Sequence, residues 1–164
     1  MYEKFFMNAV SRFYTESAFS DMVWIMCNTI KVFQELFIEY CFDEKIFTNE
    51  IIREYSRADS QPDFYFKDMN DQEYIIENKI NDHGEHFEQY KVAFPSAKRA
   101  FIANYKLPNC DGWKIKTWRG FLKFLQKNID LREIEFDQFP EDITLTEYEG
   151  ILGFISYIKA IITK

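Results

Sequence analysis

Between residues 9 and 42 the chain has no Gly or Pro, and Phe, Met, Ile and Leu recur at mixed three- and four-residue spacings. That is the period of a helix with one buried face, and it predicts that residues 1–45 are mostly helical, in two pieces. From Ile51 the texture changes to short apolar runs. Ile51-Ile52-Arg53-Glu54-Tyr55-Ser56 reads as a strand, Ser60-Gln61-Pro62 as a break, and Phe64-Tyr65-Phe66 as a second strand. In Lys67-Asp68-Met69-Asn70-Asp71-Gln72 the Asp and Asn side chains can satisfy their own backbone, so this segment reads as a hairpin turn. Tyr74-Ile75-Ile76-Glu77-Asn78-Lys79-Ile80 follows as a third strand.

After Asn81-Asp82-His83-Gly84, the stretch Glu85 to Phe94 has helical spacing and Pro95 ends it. Ala100-Phe101-Ile102-Ala103-Asn104-Tyr105 is a run covered on both faces, hence a central strand. Trp113 to Trp118 alternates as a further strand, and Phe121 to Asn128 is helical. Thr146-Glu147-Tyr148-Glu149 has the form of a capping box opening a helix that runs towards Ile162, whose Gly150–Ile155 stretch is expected to pack against the sheet. Up to Asn128 the order is helix, three strands, helix, strand, strand, helix. It predicts an α/β fold, with a central mixed β-sheet flanked by α-helices. We read residues 1–164 as a single domain with an N-terminal helical part (1–45), a core (51–130) and a C-terminal helix (141–164).

Composition narrows the classes. Hydrophobic residues make up 47% and charged residues 29%, with five Gly and four Pro, which excludes a disordered or low-complexity chain. Aromatic residues reach 19% and Phe alone numbers 18, enough to fill a core and leave rings for a protein partner or a homodimer. The formal charge of −7 argues against gripping a polyanion with the whole surface, although the middle of the chain is neutral and only the ends carry the surplus. Cys27, Cys41 and Cys110 form no CxxC pair and read as thiols of a reducing compartment. Met1-Tyr2-Glu3-Lys4-Phe5 lacks the pattern of an export signal, and no apolar run reaches the roughly 18 residues of a membrane span. The expectation is a cytoplasmic protein that does not engage a membrane.

The chemistry is carried by Pro62-Asp63 and, fourteen positions after the Asp, Glu77-Asn78-Lys79. Alternation along a strand puts Glu77 and Lys79 on one side and Ile76, Asn78 and Ile80 on the other. If the second and third strands pair as a hairpin, Asp63 lies beside Glu77. Two adjacent carboxylates repel, and burying them uncompensated costs several kcal/mol. Lys79 neutralises one; Mg²⁺ or Mn²⁺, which take hard oxygen ligands, would neutralise the rest. A hard ion with open positions suits phosphodiester hydrolysis, with the lysine orienting or deprotonating the attacking water.

In these residues, and in the order of elements over roughly residues 10–130, the chain resembles the PD-(D/E)XK nuclease superfamily, which shares the restriction-endonuclease-like fold. The resemblance implies that Asp63 and Glu77 ligate the metal, that Lys79 serves the attacking water, and that 51–130 is a catalytic core. It further implies that Gln89, in Gln89-Tyr90 on the helix after the third strand, reaches the scissile phosphate or its water. Glu16, in Tyr14-Thr15-Glu16-Ser17, would extend the metal's outer shell. DNA is expected ahead of RNA because most of the family acts on DNA, in a prokaryotic or phage defence or repair setting.

Lys98, Arg99, Lys106, Lys114, Lys116 and Arg119 interleave with Phe101, Tyr105, Trp113 and Trp118. They are the candidates for contacting phosphates and unpaired bases, although Trp113 and Trp118 read as core. His83 and His86, at i,i+3 spacing, read as a loop residue and a helix-face residue rather than as metal ligands. The alternative to a nuclease is a catalytically inactive module of the same fold, used as a protein-interaction or assembly subunit.

Overall fold

The computed structural model describes residues 15–80, 87–134 and 145–162. Two helices open it, α1 (Glu16–Thr29) and α2 (Lys31–Phe42), separated where Ile30 adopts an extended backbone. The Thr15 hydroxyl caps α1 by accepting from Ala18 N at 3.2 Å, and Glu16 places an acidic group in its first turn. Three antiparallel strands follow: β1 (Ile52–Arg53), β2 (Phe64–Lys67) and β3 (Glu73–Lys79). The β2–β3 turn closes as expected, with Asp68 Oδ1 accepting from Asn70 N at 2.8 Å and Gln72 N at 3.0 Å. The remaining elements are α3 (Phe87–Ala93), β4 (Lys98–Ala103), β5 (Trp113–Thr117), α4 (Trp118–Ile134) and α5 (Leu145–Ile162).

The strands form one sheet in the order β1-β2-β3-β4-β5, with β3, β4 and β5 parallel to one another. The fold is therefore α/β, a five-stranded mixed sheet flanked by helices. One face, with Phe64, Phe66, Ile76, Asn78, Ala100 and Ile102, meets α1, α2, α4 and α5 in the main core. The other face, with Tyr65, Ile75, Phe101, Ala103 and Trp113, packs on Tyr90, Ala93 and Phe94 of the α3 segment.

The aromatic surplus goes largely into this interior. Phe19 meets Trp118 edge-on at 4.6 Å, Phe37 stacks on Trp118 at 6.0 Å, and Phe33 meets Phe154 edge-on at 5.1 Å. Each such pair adds about 0.5–1.5 kcal/mol to the burial of its rings. Among the described residues Trp24 and Phe47 are the aromatic side chains standing out to solvent, so the composition by itself does not point to an aromatic interface. Trp113 and Trp118 are core residues, as expected, on opposite sides of the sheet. The C-terminal α5 packs into the helical layer, where Tyr157 stacks on Phe19. It begins at Leu145, so Thr146 is already helical rather than its cap. Among the described residues no helix is long and apolar enough to cross a membrane.

Candidate functional site

The end of β2's approach and the C-terminal half of β3 bring Asp63, Glu77 and Lys79 together on the α3 side of the sheet. Phe64 pairs with Ile76, which sets Asp63 opposite Glu77. The Asp63 N–H donates to Glu77 Oε2 at 3.3 Å, and Asp63 Oδ2 accepts from Asn78 N at 2.8 Å. Lys79 Nζ lies 3.6 Å from Glu77 Oε1 and 3.4 Å from Glu16 Oε1. The other Glu16 oxygen accepts from Ile80 N at 2.8 Å, which pins the start of α1 to the end of β3.

The site is poor in water. Glu77 and Lys79 are 6% and 7% exposed. Burial, reinforced by the Asp63 charge and only partly offset by Lys79, pushes the Glu77 carboxyl up to about 8. Burial also raises Asp63, against the Asn78 N–H and the Arg53 guanidinium. Lys79 and Arg53 stand beside the two carboxylates without outweighing their burial, and a bound cation would favour the ionised pair further.

No family model, no curated protein and no solved structure matches the chain. The site therefore stands on its own geometry.

The donor chemistry fits a hard divalent ion. Mg²⁺ is commonly held by one or two carboxylates and keeps its remaining positions for water and phosphate, and Asp63 and Glu77 are such a pair. Among the described residues no three His, Cys, Asp or Glu side chains gather into a group that could hold a metal. Glu16 accordingly reaches the site through Lys79 and the Ile80 amide, at the rim of the carboxylate pair.

The other expected residues divide. Gln89 is exposed, and its amide donates to Asp59 O at 3.4 Å, in the turn before β2 rather than towards the carboxylates. Its neighbour Tyr90 is the one that enters: its hydroxyl donates to Gln61 O at 3.4 Å and stands near enough to Glu77 for each to shift the other's titration. Burial and the Glu77 charge hold that phenol protonated. Residues seven positions along a helix share a face, whereas adjacent ones point about 100° apart, so the phase of a short helix decides which of two neighbours faces the sheet.

The basic set does not form one surface beside the carboxylates. Lys98 pairs with Glu44 at 3.1 Å, Lys114 with Asp43 at 3.5 Å, and Lys116 also with Asp43. Arg99 donates to Phe94 O at 3.0 Å and Pro95 O at 3.2 Å, tying down the chain that leaves α3. Lys98, Arg99 and Lys114 open their parallel strands, at the end of the sheet away from Lys79. Lys106 and Arg119 are exposed and follow the other end, where Lys79 pairs with Ala103 and Ala103 with Thr117. His83 and His86 lie outside the described residues. Sequence reasoning missed Arg53, whose guanidinium sits on Asp63 at 3.3 Å; the signal was a charge between Ile52 and Tyr55 in a predicted strand.

Proposed function

We propose that the chain is a Mg²⁺- or Mn²⁺-dependent nuclease hydrolysing phosphodiester bonds of nucleic acid, DNA ahead of RNA. The observation that carries the reading is the meeting of a half-buried Asp63 with the buried Glu77 and Lys79 on one face of the sheet. Carboxyl groups whose titration is raised by desolvation and by a neighbouring like charge recur at catalytic sites. Asp63 and Glu77 would hold the ion, which when bound polarises a phosphate oxygen and makes its water more acidic. Lys79 is placed to orient that water or to stabilise charge building on phosphorus. The Asp63 N–H and Lys79 hold the direction of the Glu77 carboxylate. The resemblance to PD-(D/E)XK nucleases supports the same assignment, and a defence or repair setting follows from that resemblance alone.

The second reading, an inactive module of this fold, is favoured by one observation. Each carboxylate already has internal partners, Asp63 in Asn78 N and Arg53, Glu77 in Asp63 N and Lys79, and Glu16 in Ile80 N and Lys79. Incubation of plasmid and single-stranded DNA with Mg²⁺ or Mn²⁺ separates the two. Nuclease activity is expected from the wild type and a loss of about a hundredfold or more from Glu77→Ala and from Lys79→Ala. Circular dichroism should show both variants folded. Undiminished cleavage by both variants, or none by the wild type with either ion, would favour the inactive module.

A further inference from the structure

Asp63 already has a cation beside it. Arg53 pairs with Phe64 across β1 and β2, next to Asp63, and its side chain is 9% exposed. Nη1 donates to Asp63 Oδ1 at 3.3 Å and to the Asp63 carbonyl at 3.2 Å. Nε donates to Asp21 Oδ1 at 3.0 Å, and Nη2 lies 3.2 Å from Glu54 Oε1 and 3.4 Å from Ser17 O. The second Asp63 oxygen accepts from the Asn78 amide. A metal on Asp63 would share its carboxylate with both donors, of which Arg53 alone carries charge. A guanidinium and a divalent ion compete there twice, for lone pairs of one carboxylate and through like-charge repulsion.

We propose that Arg53 is the resident counter-cation of Asp63 and sets the divalent-ion affinity of the Asp63–Glu77 pair. This rests on the metal-site reading above. Ion entry requires the guanidinium to release Asp63 while it keeps its contacts with Asp21 and Glu54, whose side chains are 55% and 50% exposed. The arrangement makes Arg53 and Asp21 act in opposite directions on the same equilibrium.

The test is a titration of the full chain with Mn²⁺, following the free ion by electron paramagnetic resonance. R53Q should bind Mn²⁺ about tenfold more tightly than wild type, the size expected when a like charge is removed from a screened neighbour. D21N removes the outer acceptor and should bind several-fold more weakly. R53K, which keeps the charge, should stay near wild type, and E77Q should abolish binding. Thermal melting reports whether each variant folds, and if R53Q does not, D21N alone decides. Binding by wild type with R53Q no tighter, or D21N no weaker, overturns the role of Arg53 and leaves the metal site standing. Absence of Mn²⁺ binding in the wild type and every variant overturns both.

Discussion

Asn78 stands between the glutamate and the lysine of the site, yet it faces away from both. Its amide nitrogen donates to Ser20 Oγ at 2.7 Å and its oxygen accepts from Trp118 Nε1 at 2.7 Å, with the residue fully buried. One side chain thus ties α1 and α4 to the strand that presents Glu77 and Lys79. Asn78→Ala leaves a hydroxyl and an indole N–H buried without partners and opens a small void, so about 2–4 kcal/mol of stability should be lost. Urea unfolding measures it, and a loss below about 0.5 kcal/mol would show that water replaces the amide at little cost. Strand alternation predicted which way Asn78 faces. Its two partners are far off in sequence, and no local pattern names them. The same limit separates Gln89 from Tyr90: the helix was readable, its rotation was not, because rotation is set by packing on Phe101 and Trp113.

At the scale of elements, period changes along the chain marked nearly every helix and strand, since a buried face imposes its own spacing. The exception is β1, expected over six residues and found over two. The reason is backbone geometry: Glu54 turns to φ 57°, and Ala58 and Asp59 follow at 48° and 62°. Arg57 and Ser60 exchange two backbone hydrogen bonds of 2.9 Å around that pair, so the segment is a tight two-residue turn with both central residues left-handed. Neither residue is Gly, and so the usual signal was missing. The turn is anchored to the sheet, since Arg57 grips Glu73 through Nη1 and Nη2 and lies 4.6 Å over the Phe94 ring. Ala is costly in this conformation and Asn much less so. Ala58→Asn should therefore raise stability by about 0.5–1 kcal/mol, read as a higher urea midpoint at unchanged slope. A midpoint equal to or below wild type would mean that the turn relaxes away from this geometry in solution.

Over the whole molecule, the paired charges give stability two opposed dependences on pH. Glu73 is held below its ordinary range, first by its hydrogen bonds from Arg57, so its contribution is present near neutrality and is lost as pH falls through its folded value. Glu77 works the other way. Its carboxyl is raised to about 8 in the fold, so the unfolded chain ionises first, and stability falls as pH climbs from the ordinary carboxylate range towards that value. Asp63, Lys79 and the Tyr90 hydroxyl face Glu77 directly, with Glu16 and Arg53 one contact further out. In metal-free protein the melting temperature should decline between pH 5 and pH 8, and Glu77→Gln, which has no proton to release, should flatten that decline. A divalent ion binding the carboxylate pair favours its ionised form, so millimolar Mg²⁺ should raise the wild-type melting temperature more at pH 8 than at pH 6, and should do little for the variant. Equal slopes for the two proteins without metal would show that Glu77 titrates normally, and equal Mg²⁺ shifts would place the ion elsewhere on the molecule.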